Sequence, residues 1–174
     1  YYHTLYAHRN ESEAENFISS LKAHLHIPQG ASAIDIACGK GRHAVSMAKL
    51  GMHVTGIDLA EESIAHAKQF ESSQLKFDVW DMRQTYRANS FDYAFNLFSS
   101  FGYFDNDADD RAAIAAMYAN LKHGGTLVID YLNTPYAVLH LKPREIIERS
   151  GIQFHISKKV EDGFIKKHIA FIDN

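Results

Sequence analysis

Apolar positions recur at Ala14, Phe17, Ile18, Leu21 and Leu25, the i, i+3, i+4, i+7, i+11 series of an amphipathic helix over residues 10–26, closed by Pro28 and Gly30. The pattern then changes period. A short apolar run, Ala33 to Ala37, stops at Cys38-Gly39-Lys40-Gly41 and predicts a strand leading into a glycine turn. Behind it Ala44, Met47 and Ala48 mark a helix with Gly51 at its C′ position. Further strands are expected at Met52–Ile57, 74–80 and 90–97, with a helix over 61–71 between the first two of these. Residues 107–121 form another predicted helix, capped by Asn106 or Asp107, with Ile114, Met117, Tyr118 and Leu121 as its core stripe. Lys122-His123-Gly124-Gly125 should stop it, and Thr126 begins a fifth strand.

Strand and helix thus alternate from residue 32 to 132, and the strands are nearly all apolar. Such a sequence predicts an α/β fold, a doubly wound, mostly parallel, Rossmann-like sheet covered on both faces. After Pro135 the period becomes two: Ile152, Phe154, Ile156 and Val160 alternate with Gln153, His155 and Ser157. Asp162-Gly163 is a two-residue turn signal, so an appended antiparallel hairpin is expected, pairing Val160 with Ile165, Ile156 with Ile169 and Phe154 with Phe171. That register places Lys159 opposite Lys166 and Lys158 opposite Lys167. Burial of the apolar pairs should outweigh the repulsion. Two regions follow: a cofactor-binding core with its N-terminal helix over 1–134, and an appended, substrate-side segment over 135–174.

Composition narrows the class. The 174 residues are 46% hydrophobic and 22% charged, an ordinary balance for one folded domain. The formal net charge of −3 disfavours nucleic acid and anionic membrane as partners, and no apolar run approaches the length of a membrane span. The single cysteine, Cys38, cannot form an internal disulfide, which suits a cytoplasmic setting. Eleven histidines are scattered, and only His24 and His26 lie close, at a spacing that diverges on a helix, so no metal site is expected.

Chemistry concentrates at Asp35-Ile36-Ala37-Cys38-Gly39-Lys40-Gly41-Arg42. Gly39 and Gly41 let a ligand approach the main chain closely, and ligands of open α/β sheets bind at the carboxyl ends of the strands. Asp58 ends the second strand, 19 residues after Gly39, where a carboxylate can accept both hydroxyls of a ribose; the alternative is a helix N-cap. A nicotinamide site fits Gly39-x-Gly41-x-x-Ala44, but Asp35 would repel a diphosphate. A sulfonium and an ammonium would suit it better.

With those residues in view, the segment Ile34 to Asn133 resembles the core of class I S-adenosylmethionine-dependent methyltransferases, the group acting mainly on small molecules. The stretches that carry the likeness are Asp35 to Arg42, Gly56-Ile57-Asp58-Leu59, Asp78 to Arg83, Phe91 to Phe98, and Leu121 to Gly125. The resemblance implies S-adenosylmethionine as cofactor, with backbone around Ala37 and Gly39 meeting its methionine part and Asp35 ordering the loop. It further implies Asp58 on the ribose hydroxyls, Leu59 packed on the adenine, and Asp81 accepting the adenine amino group beside the Met82 N–H. Asn96 and Leu97 would line the pocket beside the reactive methyl. Asp81 could instead cap a helix, and Asn96 could form a turn. Arg42 could pair with the cofactor carboxylate or with Asp35, and Tyr2 to Arg9 could be a lid or dock on the core.

The implied activity is methyl transfer to a small-molecule acceptor, with no catalytic residue assigned. Two rivals remain: an NAD(P)-dependent oxidoreductase, and a cofactor-binding protein of the same fold without turnover. The family closes its sheet with seven strands, whereas five precede the hairpin here. The protein is therefore expected to continue past Asn174, or to cover the fifth strand's edge with another subunit, as in a homodimer.

Overall fold

A computed structural model describes residues 11–172; the aromatic segment Tyr2 to Arg9 lies outside them. The described chain divides into two units, Glu11–Tyr131 and 132–172, a few residues before the boundary expected at 134. The larger unit runs α1 (Glu11–His24), β1 (Ser32–Ile36), α2 (Arg42–Lys49), β2 (His53–Asp58), α3 (Glu61–Ala67), β3 (Leu75–Val79), β4 (Phe91–Asn96), α4 (Asp107–Asn120) and β5 (Leu121–Ile129). Its strands form one parallel sheet in the order β3-β2-β1-β4-β5.

Alternation along the strands builds two cores. Ala33 of β1 faces Ile18, Met47, Val54, Ile64 and Phe77, the side covered by α1, α2 and α3. Ile34 and Ile36 face the other side, with Ile57, Phe91, Ala113 and Met117, where α4 lies. Successive residues of a strand point to opposite faces, so one five-residue strand contributes to both layers. Gly51, at φ 87, follows α2 as its C′ residue. Among the described residues no helix is long and apolar enough to cross a membrane.

The core stripe expected on α4 needs correction. Its buried residues are Ala113, Ala116, Met117 and Asn120, whereas Ile114 is 37% and Tyr118 75% exposed. Both sets have helical spacing and lie on neighbouring faces. Two alanines let the helix axis approach the sheet, and the buried Asn120 is held by a polar bond instead: its Oδ1 accepts the Tyr86 and Arg87 N–H groups at 2.9 and 2.8 Å. The strand after α4 also starts earlier than expected. Leu121 already pairs with Phe91, and the ladder resumes at Thr126 opposite Tyr93, so Lys122 to Gly125 form a bulge within β5.

The smaller unit contains α5 (Thr134–Leu139) and a three-stranded antiparallel sheet, β6 (Arg144–Arg149), β7 (Ile152–Glu161) and β8 (Phe164–Ile172). The β7–β8 register is the expected one, including Lys159 opposite Lys166 and Lys158 opposite Lys167. β6 and α5 were not anticipated. β6 supplies one counter-charge, with Lys158 Nζ 2.7 Å from Glu145, and Glu161 at the end of β7 takes both Lys159 and Lys166, at 2.9 and 2.6 Å. Burial concentrates on Phe154 and Ile156, while Val160 and Phe171 remain partly exposed.

At the turn, Asp162 and Gly163 both have positive φ, 53° and 81°, the geometry that matches the twist of a two-residue hairpin. A Cβ at Gly163 would meet nothing within 4 Å, so Gly163→Ala tests backbone conformation alone. It should cost about 1–2 kcal/mol, the penalty of a left-handed L-residue. Urea denaturation of the two proteins measures it, and equal midpoints would contradict the turn.

Candidate active site

β1 ends in a loop held by one bond of its own and two to β2. The Cys38 N–H donates to Ile57 O at 3.0 Å, the Gly41 N–H to Cys38 O at 3.0 Å, and the Gly39 N–H to Asp58 Oδ2 at 2.8 Å. Ala37, Gly39 and Gly41 all take positive φ. At Gly41 a Cβ would also stand 2.6 Å from the Phe77 ring, whereas at Gly39 it would meet nothing within 4 Å. Gly41 is therefore required by packing as well as by conformation, and Gly39 offers bare backbone to whatever approaches the loop.

Asp58 closes the loop from β2. Its Oδ2 takes Gly39 and its Oδ1 takes the Ala60 N–H at 2.8 Å, which turns the chain ahead of α3. The N-cap of α3 is Ala60, so the capping alternative for Asp58 does not hold. Each carboxylate oxygen has about two acceptor directions, so one on each remains for a hydroxyl donor.

Asp35 is fully enclosed on β1. Its carboxylate accepts the Ala44 N–H in the first turn of α2, and its Oδ2 has no hydrogen-bond partner among the described residues. Burial pushes its pKa up to about 7, the Asp58 charge adds to the rise, and the Ala44 N–H and Arg42 oppose it. Arg42 itself lies 3.5 Å from Glu13 and stacks over the Phe98 ring at 4.3 Å. His43 stacks against Phe98 as well, and burial pushes its imidazole down to about 4. Burial likewise raises the Cys38 thiol.

Ala37, Asp58, Leu59, Asp81 and Met82 come together on one cleft of about 110 Å³, at the carboxyl ends of β1, β2 and β3. Trp80, Arg83 and Phe104 complete its lining and were not singled out in the sequence. The aromatic run Phe98 to Phe104 was the available signal for Phe104. Asp81 caps no helix: it opens a turn in which its own Oδ1 accepts the Arg83 N–H at 2.9 Å. Leu59 is 66% exposed at the cleft rim.

Asn96 is the last residue of β4 and fully buried, with Nδ2 donating to Ile36 O at 3.0 Å and Oδ1 without a partner among the described residues; it is not among the residues that line this cleft. Leu97 is buried behind it.

Residues 33–125 match the family model described as a methyltransferase domain. The chain belongs to this family. Among curated proteins it is 33% identical to a glycine/sarcosine N-methyltransferase of Aphanothece halophytica, over 72% of this chain and 48% of the relative. It is 29% identical to the dTDP-3-amino-3,4,6-trideoxy-alpha-D-glucopyranose N,N-dimethyltransferase of Streptomyces venezuelae, over 59% of this chain and 43% of that protein. The chain thus spans about half the length of these relatives. Among solved structures, the S-adenosylmethionine-bound amino pentose methyltransferase CalS10 of Micromonospora echinaspora superposes with a TM-score of 0.70 at 23% identity, covering 98% of this chain and 79% of CalS10. Streptomyces venezuelae DesVI gives 0.69 at 20% identity, with 98% and 80% covered. These likenesses establish a class I methyltransferase fold, as the sequence reading expected.

Proposed function

We propose that this methyltransferase domain binds S-adenosylmethionine and transfers its methyl group to a small-molecule acceptor. The observation that carries the reading is the convergence of Asp58 and Asp81 with Ala37 and Leu59 on one cleft at the strand ends. Asp58 would hold the ribose hydroxyls with the acceptor directions its two backbone bonds leave open, and Leu59 would lie against the adenine. Asp81 would accept the adenine amino group beside the Met82 N–H. Gly39, with open space on its Cα, would let the methionine part approach the loop. The buried Asp35 favours a cationic ligand nearby over a diphosphate, which separates this reading from a nicotinamide enzyme.

When bound, the cofactor supplies a methyl carbon already activated by the sulfonium, so the protein's part is alignment, worth about 7–11 kcal/mol of the barrier. A base is needed only for an acceptor that carries its proton at neutral pH. The negative net charge and lone cysteine support a cytoplasmic setting without nucleic acid or membrane partners. Isothermal titration tests the cofactor: S-adenosylmethionine should bind and NADH should not, and the reverse result would overturn the reading. Transfer of labelled methyl to a panel of small amines and phenols then separates an enzyme from a protein that only binds the cofactor.

A further inference from the structure

Asp81 does not stand free in the cleft. Arg83, two residues on, folds its guanidinium back onto that carboxylate: Nε lies 3.1 and 3.0 Å from Oδ1 and Oδ2, and Nη2 lies 2.6 Å from Oδ2. The Arg83 backbone N–H adds a fourth contact, at 2.9 Å to Oδ1. The other side of the guanidinium is held too. Nη1 donates to Asp109 Oδ2 at 3.1 Å, and the group lies over the Phe104 ring at 5.4 Å. Asp109 is itself fixed, its N–H donating to Asn106 Oδ1 at 2.9 Å and its Oδ2 accepting from Asn106 Nδ2 at 3.1 Å, in the capping turn of α4.

We propose that Arg83 is a positioning residue that aims Asp81 at the cofactor's adenine and thereby sets a preference for a 6-amino over a 6-oxo purine. The inference rests on the reading that Asp81 accepts the adenine amino group. An isolated aspartate samples several rotamers, and a planar fork gripping both oxygens selects one. A carboxylate offers about four acceptor directions; three Arg83 N–H groups occupy most of them and leave room for about one further donor. One N–H of an exocyclic amine meets that remaining direction. A purine carbonyl in its place would set oxygen against oxygen. Arg83 also holds Asp81 ionised, since the guanidinium keeps its pKa below the usual carboxylate range. A protonated Asp81 could donate to a carbonyl, so keeping it ionised serves the same discrimination.

The test titrates S-adenosylhomocysteine and its 6-deaminated analogue, S-inosylhomocysteine, into the wild type, Arg83→Met and Arg83→Lys. The wild type should prefer the adenosyl ligand by about tenfold or more, the worth of one hydrogen bond to a charged acceptor. Arg83→Met, which keeps an apolar stem against Phe104, should lose most of that ratio, and Arg83→Lys, a cation without a fork, should lose part of it. In Arg83→Met the adenosyl affinity should also begin to fall at a higher pH on acidification, which a purely structural role would not produce. An unchanged ratio and pH profile in both variants overturns the proposal while leaving the Asp81 reading intact. A wild type that shows no preference, with Asp81→Asn no different, removes the Asp81 reading and this proposal together. If Arg83→Met fails to fold, the ratio in Arg83→Lys decides alone.

Discussion

Replacing Asp35 by asparagine should stabilise the protein relative to wild type as pH rises, by up to about 4 kcal/mol above neutrality. The buried carboxyl titrates at about 7 in the fold against an ordinary value of 3.8. Between those values the folded state binds more protons than the unfolded chain, so wild-type stability is fully present below about 3.8 and is lost as pH rises through about 7. Desolvation is the main cause and the Asp58 charge the next. Asparagine has nearly the same shape and can still accept the Ala44 N–H, but it cannot ionise. His43 acts in the opposite sense, because burial lowers its pKa from 6.5 to about 4 and stability falls as the imidazole is forced to charge on acidification. That contribution is common to both proteins and cancels in their difference. Urea titrations of the two proteins at about pH 5 and about pH 8 give the comparison; a difference that does not change with pH would refute the account. The same physics bears on ligand choice. A carboxyl that resists ionisation inside the fold gains most from a cation brought near it.

Asp58→Ala should weaken S-adenosylmethionine binding by about 1.5–3 kcal/mol, a factor of roughly ten to a hundred and fifty, on the scale of hydrogen bonds to a charged acceptor. The geometry places the loss at the upper end of that range or beyond it. Besides any ribose contact, the substitution strips the Gly39 and Ala60 N–H groups of their acceptor, so the glycine loop loses its tie to β2. Asp58→Asn separates the two effects: one amide oxygen can still serve one of these N–H groups, but the charge and the second acceptor are gone. Calorimetric titration of both variants measures them, with circular dichroism as the check on folding. An affinity equal to wild type in a folded Asp58→Ala protein would remove Asp58 from the site.

The features that local chemistry dictates were legible in the chain. Alternating apolar runs and helical stripes announced the parallel sheet, because a strand covered on both faces must be apolar throughout. Asp162-Gly163 set the β7–β8 register, because two consecutive left-handed residues suit that turn and a slip of one residue would turn Phe154 and Ile156 outward. Gly39 and Asp58 could be picked out because a glycine breaks the pattern or a strand ends there, and Asp35 because it is a carboxylate inside an apolar strand, whereas Asp81 entered through the family resemblance.

Other features depend on partners distant in sequence, and only the tertiary structure decided them. α4 has two adjacent faces of helical spacing, and the one with alanines is buried because close approach to the sheet outweighs side-chain bulk. β6 reads as a charged segment until Glu145 is set against Lys158. Asn96 donates its amide to Ile36 O of the neighbouring β1, a partner 60 residues away that the sequence does not announce. Arg83 follows Asp81 by two residues, yet its grip depends on Asp109, 26 residues further on, to hold the guanidinium's other side. Hydrophobic period and turn chemistry are written residue by residue. Which polar group meets which is settled only when the chain has brought them within a few ångströms.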